Sequence, residues 1–267
     1  VVNGNLQIQG GIDSANWVTF RGYRLDKQVT GIPYDNLPGQ WLGLFLMRKS
    51  GVHKIENFRL RGSQYGINVG NTTLEELNTV SINNAPQLNI TNAEIYNNSV
   101  YGLYGFLAKI NATNVLIHDI GRNAFTGVLG GEYLLKHCTF YLRASNYFDH
   151  IYNTDYPAIV ADLKVDIFNT VIDGGAEEEF IFDPIDFNRV TSTVENSAIK
   201  TKGGVPNFVI STDNIINLDF GFENVTKSNF HLKENSVLIG KGKDIQVLYD
   251  IEGKSRKTPP DIGAYEF

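Results

Sequence analysis

Tyr96, His118, Tyr141 and Asp173 follow one another at spacings of 22, 23 and 32 residues. Each stands four places after an asparagine or, once, a histidine: Asn92, Asn114, His137 and Asn169. Stacked repeats would bring the four into one ladder on an outward strand face, with Arg61 and Lys200 at its ends. Aromatic faces pack against the C–H surface of a pyranose, and polar tips orient its hydroxyls. The ladder therefore suits a sugar chain. A solvated sheet face carries the same residue types.

Other groups offer different chemistry. His118, Asp119 and Arg122 could form an acid–base set, with Arg122 as the base. Catalysis requires such groups within hydrogen-bond reach of one proton. Neighbours along a strand point to opposite faces, so His118 and Asp119 are expected to diverge. Asp173 is the third weak catalytic candidate. Glu177, Glu179, Asp183 and Asp186 form an acidic stretch that could hold Ca²⁺, which takes six to eight oxygen ligands; a solvated loop explains it equally. No cofactor is required by any motif, and Ca²⁺ is the one that these residues would suit. Between Tyr141 and Leu163 lies the most aromatic segment, with Arg143, Tyr147, Asp149, His150 and Tyr152. Long loops on rigid scaffolds concentrate binding residues, so these join Tyr96, His118 and Tyr141 as candidate carbohydrate-binding positions.

The elements that must carry these residues are legible as a repeat. Asn57, Asn92, Asn114, His137, Asn169 and Asn196 each precede an apolar or small residue, a variable one and a large apolar one. The alternation has period two, which is a strand with one buried face. A unit of about 22 residues is too small to bury its apolar face alone and must stack on its neighbours. The expectation is an all-β fold, a right-handed parallel β-helix (solenoid). Phe58, Leu60, Ala93, Ile95, Val115, Ile117, Cys138, Phe140, Ile172 and Ile199 should point inward. The asparagines should stack amide on amide at the turns, where Asn tolerates the backbone. Cys138 falls on the inward column and reads as a small buried hydrophobe.

Composition agrees. The 267 residues include 26 Gly and 28 Asn, about a fifth of the chain. Both types tolerate the left-handed turns that many short strands need. The net charge of −6 argues against a nucleic-acid partner. No apolar run is long enough for a transmembrane helix, and one cysteine allows no intrachain disulfide. Residues 1–226 are expected to form the coils. Residues 227–267 break the pattern and are expected to form a closing segment that packs along the last coils, since β-helix ends expose strand edges.

The C-terminal part reads Ser228-Asn229-Phe230-His231-Leu232, then Ser236, Gly240, Asp250-Ile251-Glu252-Gly253, Arg256 and Asp261-Ile262-Gly263-Ala264-Tyr265-Glu266. With Leu37-Pro38-Gly39-Gln40-Trp41 and Gly130-Gly131-Glu132-Tyr133, it resembles right-handed β-helix proteins exported by Bacteroidetes, many of them surface lipoproteins. The resemblance implies a pectin-lyase-like fold and an extracytoplasmic, cell-surface or secreted location, with a lipid anchor upstream. It implies no established activity. The function expected is polysaccharide binding without demonstrated catalysis. A polysaccharide lyase or glycoside hydrolase is the alternative, and a structural or adhesive surface protein the second alternative.

Overall fold

Asn57, Asn92, Asn114, His137, Asn169 and Asn196 all adopt the left-handed conformation, with φ between 47° and 52°. A residue that accepts this conformation turns the chain sharply without a glycine. The run Tyr101–Ile120 uses it at Leu107 (φ 44°) and Asn114 (φ 51°), where one continuous strand bends round two corners, and again at Asp119 (φ 52°) near its end. Each coil thereby gains three flat sides: one before the asparagine, one after it and one closing the turn.

The computed structural model describes residues 1–28, 30–71, 82–143, 148–151, 162–183 and 186–267, without the side chains of 82, 148–151 and 183. Among the described residues, 17 strands join one sheet that curls 293° round an axis, and its pairings between strands are parallel. The chain is a parallel β-helix of nearly all-β content. No helix among the described residues is long and apolar enough to cross a membrane.

Register sets the core. On the side after the asparagines, Phe20, Leu60, Ile95, Ile117, Phe140, Ile172, Ile199 and Ile216 lie directly over one another. All ten residues expected to point inward are buried in one hydrophobic cluster. Burial pushes the Cys138 thiol up to about 12, which leaves it inert as a nucleophile at neutral pH. Space is tight across the stack: a Cβ on Gly105 would lie 2.7 Å from Tyr133 Cε1. Tyr133 fills that gap, and its hydroxyl donates to Gly130 O at 2.9 Å.

The amide ladder forms in two runs. Asn92 Nδ2 donates to Asn57 Oδ1 at 3.1 Å, and Asn114 Nδ2 to Asn92 Oδ1 at 3.0 Å. Further along, Asn169 Nδ2 lies 2.9 Å from His137 Nε2. Burial, helped by the charge of Arg256, lowers His137 to about 3, so the ring is neutral and Nε2 accepts. Between Asn114 and His137 the side chain of Arg256 takes the place of a rung, donating to Asn114 Oδ1 at 3.0 Å.

Arg256 belongs to the closing segment, which runs along the flank of the coils. Its contacts follow the ladder: Tyr249 O accepts from Asn114, Lys243 O and N bond Asn169, and Lys241 O accepts from Asn196. Beneath it, Leu116, Val171 and Ala198 on the outward side of the sheet join Phe220, Phe230, Leu238 and Ile262 in a second hydrophobic cluster. The segment opens with an antiparallel hairpin, Phe222–Asn224 and Asn229–Leu232. The change expected between Thr226 and Lys227 falls inside this hairpin, and the last coil strand is Ile215–Ile216.

Candidate functional site: a residue column divided by a hairpin

The outward column forms in the order expected. Arg61 lies beside Tyr96, Tyr96 beside His118, His118 beside Tyr141, and Tyr141 beside Asp173. The Tyr96 and His118 rings stack with centroids 5.0 Å apart and planes 8° from parallel. The column is not one open platform. Phe230 of the hairpin packs on both His118 and Tyr141, at 5.3 and 5.2 Å between ring centroids, and Phe222 meets Tyr141 at 6.2 Å. The hairpin thus lies across the middle of the column and leaves a cleft on either side.

The first cleft has a volume of about 870 Å³ and is lined by Arg61, Glu94, Tyr96, His118, Asp119 and Arg143, among others. Here the expectation that His118 and Asp119 diverge is overturned. Asp119 adopts φ 52°, which breaks the strand alternation and swings its carboxylate back onto the ring. His118 Nδ1 meets Asp119 Oδ2 at 2.8 Å, and Nε2 meets Glu94 Oε1 at 3.2 Å. Asp119 also binds Arg143 at 2.6 Å and accepts from the Ser228 hydroxyl at 2.7 Å. Asp119 therefore ties the column to the hairpin.

The electrostatics follow from this geometry. Burial disfavours the His118 imidazolium, but hydrogen bonds and charge from Asp119 and Glu94 outweigh it and raise His118. Burial works against the charged Asp119 as well, yet His118, Ser228 and Arg143 bring it down to about 2. Glu94 is lowered against its burial by His118 and Arg59. A raised histidine contributes stability in full below its ordinary value of 6.5, and this is lost as pH climbs through the folded value. A lowered carboxylate contributes above its ordinary value, 4.5 for Glu94, and loses the contribution on acidification. The wild type should therefore gain most over His118→Gln between about pH 4.5 and 6.5, with the gap narrowing on both sides. Thermal melts of both proteins from pH 3 to pH 9 check this. A gap that widens steadily with rising pH would contradict it.

The second cleft, of about 520 Å³, is lined by Tyr141, Asp173, Glu177, Lys200, Asn217 and Asp219, among others. Asp173 Oδ1 accepts the Gly174 N–H at 2.8 Å. Lys200, one coil on, donates to Gly174 O at 2.6 Å. Burial first, and the charge of Asp219 with it, lifts Asp173 to about 6 against the pull of Gly174 N–H and Lys200.

The remaining candidates fall elsewhere. Arg122 is exposed in the turn after Ile120 and lines neither cleft. Glu177 pairs with Lys202 at 3.0 Å. Glu179 is buried and accepts Ala176 N–H at 2.7 Å. Asp186 caps the short turn Phe187–Arg189, and Asp183 ends the strand Phe180–Asp183. Among the described residues, no group of three or more His, Cys, Asp or Glu side chains is arranged to hold a metal ion. Asp149 and His150 lie on the strand Phe148–Ile151, whose side chains are outside the description. Tyr147 and Tyr152 lie outside the described residues.

Sequence reasoning missed Glu94 and Ser228 as members of the first cleft, and Asp219 as a member of the second. Glu94 had a signal: two places after its asparagine, it must share the outward face with Tyr96. Ser228 and Asp219 had none, because both lie past the last coil strand, outside the repeat. No family model matches this sequence, and no curated protein matches it at a significant level.

Proposed function

We propose that this chain is an exported, pectin-lyase-like β-helix protein of Bacteroidetes type that binds polysaccharide at the cell surface or in the surrounding medium. One observation carries the reading: a file of outward residues containing Tyr96 and Tyr141 opens into two clefts with charged walls. Their volumes fall in the range of small-molecule and sugar sites. A rigid sheet holds the rings at fixed height, so little ordering cost falls on the protein when a sugar binds. The net charge of −6 supports a partner other than nucleic acid.

Isothermal titration against a panel of neutral and acidic polysaccharides tests this. Tyr96→Ala and Tyr141→Ala should each weaken the best ligand about tenfold, as loss of an aromatic contact of roughly 1.4 kcal/mol would. Unchanged affinity in both, with the fold intact by circular dichroism, would remove the column from the binding surface. A second reading, an enzyme of the lyase or hydrolase type, is favoured by Asp173, a half-buried carboxyl in an open cleft. Perturbed carboxyl groups in clefts are a feature of catalytic sites.

A further inference from the structure

His118 sits between two carboxylates. Nδ1 lies 2.8 Å from Asp119 Oδ2, and Nε2 lies 3.2 Å from Glu94 Oε1. An ionised carboxylate only accepts, so both ring nitrogens must donate, and an imidazole donates from both only as the cation. A neutral ring keeps one N–H and turns a lone pair toward the other carboxylate. The two protonation states of this one ring therefore require two arrangements of the cleft wall.

The groups round the ring decide which carboxylate gives way. Asp119 has the shorter bond, and Arg143 and Ser228 hold it from the hairpin side. Glu94 has the longer bond, and its other oxygen meets Arg59 at 2.6 Å. Tyr96 stacks on the ring from the coil before, with Arg61 beside it paired to Asp35. Tyr141 lies alongside from the coil after, and Phe230 packs on the ring from the hairpin, whose turn brings Lys227 to the cleft. Tyr265 of the closing segment stands near Glu94. The proton left on a neutral ring therefore stays at Nδ1, facing Asp119, and the Nε2 lone pair repels Glu94. The Glu94 side chain is 22% exposed in the wall of the cleft, so it has room to turn outward.

We propose that the first cleft is a protonation-gated sugar site: with both ring protons in place His118 keeps Glu94 engaged within the protein, and loss of the Nε2 proton frees the Glu94 carboxylate to accept hydroxyl groups of a bound sugar. This rests on the polysaccharide reading above. The proton passes to solvent, and no bond between heavier atoms changes. Burial opposes the imidazolium, but the bonds and charges of Asp119 and Glu94 raise His118, so the gate opens on the alkaline side of 6.5. Affinity in this cleft is therefore lowest in mild acid and rises with pH.

The test reads the ring and the ligand separately. Long-range proton–nitrogen NMR of the free protein from pH 5 to pH 9 follows its five histidines, and His118→Gln identifies the His118 signals. The expected result is a midpoint above 6.5 and, beyond it, one tautomer protonated at Nδ1. In Glu94→Gln the side-chain amide can donate to Nε2, so the midpoint should fall by about 1–3 pH units. Isothermal titration with the best-binding polysaccharide of the panel supplies the second arm. Affinity should rise about tenfold across the same pH range in the wild type and stay flat in Glu94→Gln. A ring protonated at Nε2, a midpoint at or below 6.5, or a wild-type affinity that is flat or falls with pH overturns the gate and leaves the binding reading standing. Binding of no polysaccharide at any pH overturns both.

Discussion

Arg256→Ala is expected to destabilise the protein by about 3–5 kcal/mol, the cost of leaving a buried charge without its partner. The side chains of Arg256 and Glu266 are 2% and 0% exposed. Arg256 bonds Asn114 Oδ1 and the carbonyls of Gly263 and Ala264, while Nη1 lies 3.4 Å from Glu266 Oε2. Glu266 in turn accepts the N–H groups of Lys257 and Asp261. One guanidinium therefore joins the asparagine ladder to the chain terminus. Its burial disfavours the charge and lowers Arg256, against the opposing pull of Asp250, Glu266 and Asp261. Removing Arg256 strands these carboxylates together. For a chain of this size the melting temperature should fall by roughly 10 °C. The exposed pair Arg189–Asp162 is the contrast: Arg189→Ala should cost at most about 1 kcal/mol. Thermal melts of the two variants side by side check the ranking, and equal effects would contradict it.

Asn169→Ala is expected to cost about 3–4 kcal/mol. Alanine at φ 50° is strained by about 1 kcal/mol. The groups it abandons, the buried His137 Nε2 and the part-buried bonds to both peptide groups of Lys243, add about 1 kcal/mol each. Asn169→Gly separates the two causes, because glycine accepts the backbone without strain. It should recover about 1 kcal/mol and no more. Full recovery in Asn169→Gly, read from denaturant midpoints, would mean that the amide contributes nothing beyond its turn. Asn196→Ala should cost less, since among the described residues its side chain makes one bond, an exposed one to Lys241 O.

The coils were legible because their determinants are local. An asparagine that accepts a left-handed turn, followed by alternating apolar residues, identifies both the corner and the buried face within five residues. The same alternation placed Tyr96, His118, Tyr141 and Asp173 on one outward column. What it could not supply was the cover. Asn114 meets Tyr249 and Arg256 across 135 and 142 residues, and no periodicity reports a contact of that range. A trace of it was present in the outward positions Leu116, Val171 and Ala198. These are apolar where Arg59 and Glu94 are charged, and an outward apolar run needs a lid. The His118–Asp119 pair was misjudged for a different reason. Alternation holds only while the backbone stays extended, and Asp119 breaks it by entering the left-handed region.

The hairpin also gives the column its shape. Without Phe222 and Phe230, His118 and Tyr141 would lie on a flat exposed face. With them, the face becomes two bounded clefts of different charge chemistry. The most direct measurement is size-exclusion chromatography of the wild-type protein with a panel of neutral and acidic polysaccharides. The account predicts that at least one polymer carries the protein with it, and that Tyr141→Ala weakens the shift while circular dichroism remains that of the folded protein. Elution of the protein at its own volume with every polymer in the panel would contradict a polysaccharide-binding face.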